Sequence, residues 1–144
     1  MPGRNIQLDH TYEGQFEVVG QAPDGTMSFE SVQKLDTSVL ASGLDPDLEV
    51  NTVKWSVDPN GRITGTAKFL LASTYDIVTA TLEGHTPPPL PGQDYRDAFV
   101  EVTFSGGSRV CSGACGTARV SAKLYNDGRS RGTLVGLAEL QSHP

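Results

Sequence analysis

The chain has 144 residues, 37% of them hydrophobic, and carries 16 glycines and 9 prolines. This length fits one domain with its own core, spanning 1–144, and the glycine and proline content is typical of a turn-rich all-β protein rather than a helical one. Eleven basic against 17 acidic residues give a net charge of −6, which excludes a phosphate-tracking surface, so no nucleic-acid partner is expected.

Residues 1–10 hold no apolar run of signal-peptide length, and no segment approaches the length of a membrane span. Two cysteines are too few for the disulfide scaffold of a small secreted domain. We therefore expect a cytoplasmic protein with no membrane partner, in which residues 1–10 are a flexible or edge segment.

The next part of the chain is predicted to form a hairpin. Apolar and polar residues alternate over 11–19, which is the period of a half-buried strand. A turn signal at 22–25 leads into a second strand at 27–30. The pattern of 31–44 is mixed and predicts either a short helix or a long connection.

Six more strands follow, joined mostly by short turns. The clearest turns are Asn-Gly at 60–61 and Asn-Asp-Gly at 126–128, because these residues tolerate left-handed backbone. The proline-rich segment 85–92 cannot be a central strand, and a stiff connection is favoured there over a docking motif. The six strands are predicted at 48–57, 62–71, 75–82, 98–104, 117–125 and 130–140.

Eight sequential strands without crossover helices predict an antiparallel up-and-down sheet. Eight is also the number at which such a sheet closes around a cavity for one small molecule. We therefore expect an all-β fold, an eight-stranded up-and-down, calycin-like barrel with at most one short helix. A β-sandwich is the alternative.

A glycine-rich corner at 105–118 holds both cysteines. Its runs Gly106-Gly107-Ser108 and Gly113-Ala114-Cys115-Gly116, with Gly65-Thr66-Ala67 and the turn residue Asp76, resemble motifs of the allene oxide cyclase barrel superfamily. That superfamily includes plant allene oxide cyclases, dirigent-like proteins and small bacterial barrels. The chain departs from the pattern at Arg109 to Cys111, where a Gly-Arg-Phe run is usual.

The resemblance implies a cavity enzyme that works without a cofactor. Activities of such barrels include cyclisations, among them ring-closing cycloadditions in bacterial polyketide pathways. It also implies a homodimer or homotrimer. The sequence agrees on cofactors, since it has no phosphate-binding loop and its histidines at 10, 85 and 143 form no local metal pair, so we expect neither metal nor cofactor.

Three residues are candidates for catalysis. The resemblance assigns Asp76 to a family turn position, next to Tyr75. Glu101 lies in an apolar strand, like Glu30, and a carboxylate that faced a cavity would have a raised pKa and could move protons. Structural roles are favoured over these catalytic ones. Asp76 would then be a carboxylate that bonds its own turn, and the two glutamates would be outward charges that keep the surface hydrated.

Aromatic side chains are numerous enough to line a pocket and fold a flexible substrate. That these rings simply pack in the hydrophobic core is an equally good interpretation. Cys111 would form pocket wall in place of the usual aromatic ring, and two reduced thiols are favoured over a disulfide with Cys115. The candidate substrate contacts are Tyr12, Phe16, Trp55, Tyr95, Phe99 and Cys111.

These observations give a leading hypothesis and two others. The leading one is a cofactor-independent cyclase or isomerase of natural-product biosynthesis that closes a ring in an apolar, polyketide-like substrate inside the barrel. The second is a lipocalin-like carrier that binds a hydrophobic small molecule without turnover. The third is a structural protein whose interior is filled by its own side chains.

Overall fold

The structure, a computed structural model, describes residues 4–32, 39–40, 48–71, 74–88 and 90–140. These residues form nine β-strands and one 3-10 turn, and each of the eight predicted strands has a counterpart among them. The elements are β1 (Arg4–Gln21), β2 (Met27–Val32), β3 (Val39–Leu40), β4 (Leu48–Val57), β5 (Arg62–Leu71), β6 (Asp76–His85), β7 (Tyr95–Gly107), the 3-10 turn (Arg109–Cys111), β8 (Cys115–Tyr125) and β9 (Arg129–Leu140).

The strands form one antiparallel sheet that closes in a ring. From β4 to β9 each strand pairs with the next along the chain, as an up-and-down topology requires. The ring closes through β1, which pairs with β9 from Arg4 to Gln15 and with β2 from Gln15 to Gln21. An 18-residue strand is about 60 Å long, so one strand can serve both neighbours in succession.

Two stretches add strand residues to those predicted. Residues 4–10 form the first part of β1, where they pair with β9 alone among the described strands, with Ile6 and Leu8 buried. Of the mixed stretch 31–44, the first two residues end β2 and Val39–Leu40 form β3 against β1; the others lie outside the described residues.

Strict alternation sends one set of side chains to the inside of the ring. On β7, Ala98, Val102 and Phe104 are buried, whereas Phe99 and Glu101 are exposed on the outer face. Glycine is required on the inner face where strands approach most closely, as at Gly84, whose added Cβ would collide with the carbonyl oxygen of Phe99. No helix in the described part of the chain has the length and apolar character needed to cross a membrane.

The ring has two distinct ends. At one, the inner face carries aromatic rings, among them Trp55, which pairs with Gly65 of β5. At the other, Asp76 pairs with Leu71 of β5. The six-residue step along β5 from Gly65 to Leu71 corresponds to about 20 Å, so Trp55 and Asp76 are too far apart to act on one small substrate group.

Candidate functional site

Three aromatic rings pack together on the inner face at one end of the ring. Phe29 stacks on Trp55 with centroids 5.5 Å apart and planes 16° from parallel. Phe16 closes the group, 5.8 Å from Phe29 and 5.7 Å from Trp55. All three remain partly exposed although they point inward, so solvent reaches the interior here.

Aliphatic side chains continue this accessible inner surface. Leu82, Val100 and Leu124 pack against the buried core clusters but are themselves only partly buried. Next to these side chains, three small residues are paired across neighbouring strands: Ala98 on β7, Ala122 on β8 and Gly132 on β9. None of the three is bulky. We call this accessible inner surface the inner chamber; it is formed by Phe16, Phe29, Trp55, Leu82, Val100 and Leu124.

One cationic side chain points into the same end. Arg96 lies on the inner face of β7, in phase with Ala98 and Val100 and opposite Leu124 of β8. Its Nε is buried and has no hydrogen-bond partner among the described residues. Sequence reasoning missed Arg96 because the strand was predicted to begin at 98; extending the alternation by two residues reveals it.

Asp76 is the centre of a separate clamp at the opposite end of the ring. Asp76 is 1% exposed. Its Oδ1 accepts hydrogen bonds from the Ser108 hydroxyl at 3.0 Å and from the Arg109 Nε–H at 2.8 Å. The Arg109 Nη2 group also donates to the carbonyl oxygen of Thr74. Since the Arg109 side chain is 70% exposed, the carboxylate lies one side-chain layer below solvent.

The clamp joins the turn before β6 to the glycine-rich corner. The backbone N–H of Ile77 donates to the Ser108 hydroxyl at 2.9 Å, and the N–H of Ser108 donates to the carbonyl oxygen of Ile77 at 2.9 Å. Tyr75 and Arg109 both adopt left-handed backbone, with φ of 57° and 41°, at a cost of about 1–2 kcal/mol each. The clamp holds these two strained residues in place.

The charge state of Asp76 follows from these contacts. The side chain of Thr74 contributes most to holding the pKa of Asp76 below its ordinary value. The Arg109 guanidinium and the Ser108 hydroxyl lower the pKa further, and together these groups outweigh the opposing effect of burial. Asp76 is therefore ionised at neutral pH and unsuited to act as a general acid.

Both cysteines are free thiols. Cys111 is fully buried in the core beside the clamp, and burial, followed by the negative charge of Asp76, raises its pKa. Cys115 is exposed and its thiol donates to a carboxylate oxygen of Glu139 at 3.4 Å, a contact that raises its pKa. Cys111 thus packs in the core at the clamp end and does not line the inner chamber.

The remaining predicted site residues are dispersed. Tyr75 is 80% exposed beside the clamp, and Glu101 is exposed on the outer face of β7, opposite Arg119. Tyr95 lies on the same outer face, where its ring packs on that of Tyr125. The backbone of Tyr12 belongs to β1, and its side chain lies outside the described part of the structure.

Phe99 lines an open groove on the outside of the ring. The groove has a volume of about 750 Å³ and crosses the outer faces of β7, β8, β9 and β1. Its walls mix both signs of charge, with Asp97 and Glu13 beside Lys123 and Arg131, and the Arg131–Glu13 pair lies at 3.4 Å. Charges that compensate each other in this way select no single class of ligand.

Of the predicted residues, the structure brings together Phe16 and Trp55, and adds Phe29, Leu82 and Arg96 to them. The described residues include no group of three or more histidine, cysteine, aspartate or glutamate side chains placed to hold a metal ion. No family model, curated protein or solved structure matches the chain. The resemblance to the allene oxide cyclase barrel superfamily therefore stays a prediction.

Proposed function

We propose that the ring is a barrel whose inner chamber binds an apolar small molecule and promotes ring closure in it without a cofactor. The observation that carries this proposal is the accessible aromatic surface inside a closed sheet, formed by Phe16, Phe29 and Trp55. Aromatic walls of this kind favour compact conformers of a flexible chain and exclude water from them.

The chemistry best suited to this chamber is one that needs no proton transfer. Asp76 is ionised, clamped and about 20 Å along the strand from Trp55, and Glu101 faces outward, so neither supports acid–base catalysis in the chamber. A ring-closing cycloaddition converts two π bonds into two σ bonds and moves no proton. Confinement of the two reacting ends is then the whole contribution of the protein.

The test is a rate measurement on a linear polyene that carries a tethered diene and dienophile. Positioning contributes several kcal/mol, so we expect acceleration of about 100-fold or more over buffer, unchanged after treatment with a chelator. Trp55→Leu should remove most of the acceleration, whereas Phe99→Leu on the outer face should keep it. Equal rates with protein and with buffer would rule out the cyclase.

A second candidate is a carrier that binds the same class of ligand without turnover. It is favoured by the lack of an acid or base among the described inner-face residues at the aromatic end. Saturable binding with the ligand recovered unchanged would select the carrier. Both candidates need the inner chamber, so they share the structural tests given below.

A further inference from the structure

We propose that Arg96 anchors the anionic head of the ligand, so that the inner chamber takes an apolar molecule carrying a carboxylate or a comparably planar oxyanion such as the enolate of a 1,3-dicarbonyl group. This inference rests on the proposed function, because it names the ligand class of the same chamber. Its starting point is an inward arginine whose Nε is buried and unpaired among the described residues.

The position of Arg96 is set by the register of the sheet. It shares the inner face of β7 with Ala98, and its paired residue on the neighbouring strand β8 is Leu124. The next residue in that row, on β9, is Ser130. The register therefore places next to Arg96 on the inner face an apolar residue, a serine and a row of small residues, none of which carries a charge.

No acidic side chain of the described residues lies within ion-pair distance of this guanidinium. Three acidic groups of the adjoining strands and turns lie on the outer face or pair with other side chains. Asp97 lies on the outer face, where it lines the groove. Glu13 pairs with Arg131 at 3.4 Å, and Asp127 pairs with Arg129 at 2.7 Å.

Arg96 as a whole is only partly buried, but its Nε is fully buried without a hydrogen-bond partner, so this N–H has lost its interaction with water and gained nothing in return. Such a residue is a candidate for ligand recognition, because the bound ligand supplies the missing charge. The guanidinium is planar and presents parallel N–H groups, which match the two oxygens of a carboxylate or enolate in a bidentate pair. The small residues Ala98, Ala122 and Gly132 leave room beside it for the apolar body of the ligand.

The experiment compares decanoate with 1-decanol, which have the same chain length and differ in the head group. Binding is followed through the emission of Trp55, the only tryptophan of the chain. A charge-assisted pair in this setting corresponds to about 10- to 100-fold in affinity, so decanoate should bind that much more tightly than decanol.

Three variants assign the preference to one side chain. Arg96→Met should bind decanol as before and lose the preference for decanoate, and Arg96→Lys, which keeps the charge without the fork, should retain part of it. Arg119→Met is the matched control, because Arg119 is exposed on the outer face of β8, and it should behave as the wild type.

The outcomes separate this inference from the proposed function. Equal affinity of wild-type protein for both ligands, or an unchanged preference in Arg96→Met, would overturn the anchor and leave the apolar chamber standing. Binding of neither ligand would overturn both. The wild-type comparison needs no variant, so it decides the matter even if Arg96→Met fails to fold.

Discussion

Two neighbouring valines on β7 decide whether the ring contains free space. Val100 and Val102 share the inner face of the same strand, but Val102 is 2% exposed within the core whereas Val100 is only partly buried at the inner chamber. Val→Phe at each position makes the same chemical change. It adds one aromatic ring to the interior and keeps a side chain that suits a strand.

The expected effects on stability differ because the two sites differ in available space. Overpacking a filled core costs about 1–3 kcal/mol, so Val102→Phe should lower the free energy of unfolding by that amount. Val100→Phe extends into the chamber, where the cost of strain is offset by apolar surface removed from water, and should stay within about 1 kcal/mol of the wild type. At this chain length each kcal/mol corresponds to about 2–4 °C in Tm.

The assay is urea unfolding of the three proteins, read by circular dichroism, together with titration of an apolar ligand. Val100→Phe should fold normally and fail to bind, since its ring occupies the ligand's place. Equal destabilisation by the two substitutions would refute the reasoning. It would mean that side chains fill the interior throughout, as in a structural protein.

Two further predictions concern the clamp end. The pKa of Asp76 is lower in the folded protein than its ordinary value of 3.8, so between these two pKa values the unfolded chain binds more protons. The clamp's contribution to the free energy of unfolding is therefore present above pH 3.8 and is lost as pH falls through the folded-state pKa. Urea midpoints from pH 7 to pH 2.5 should therefore fall less steeply for Asp76→Asn than for the wild type, and parallel curves would contradict the clamp. The exposed thiol of Cys115 should react with a thiol reagent in the native protein, faster as pH rises, while buried Cys111 should react only in urea. Two equivalents of native reactivity would contradict the burial of Cys111.

The strands could be predicted from the sequence because their side chains alternate with so few interruptions. On β5, for example, Ile63, Ala67, Phe69 and Leu71 are all buried, as their spacing of two residues indicates. Closure of the ring was harder to foresee. It depends on one long strand, β1, that pairs with β9 up to Gln15 and with β2 from Gln15 onward.

The site was less accessible to sequence reasoning because composition does not say which face of a strand points inward. Phe99 and Val100 are both apolar neighbours, and only the register of the closed sheet sends Phe99 outward. Asp76 was identified as a special carboxylate, but its partners Ser108 and Arg109 lie more than thirty residues away. The alternation of β7 does place Arg96 in phase with the inward residues Ala98 and Val100. Because it is charged and stands at the start of the strand, the pattern does not suggest an inward side chain.

The inner chamber itself can be tested with one titration. Trp55 lies in its wall, so a neutral apolar fluorophore such as N-phenyl-1-naphthylamine should quench its emission by energy transfer, saturating at about one equivalent per chain, as expected of one enclosed site. The same titration should show no saturable quenching in Val100→Phe and normal quenching in Phe99→Leu. Quenching that never saturates, or that Val100→Phe leaves unchanged, would contradict the existence of the chamber.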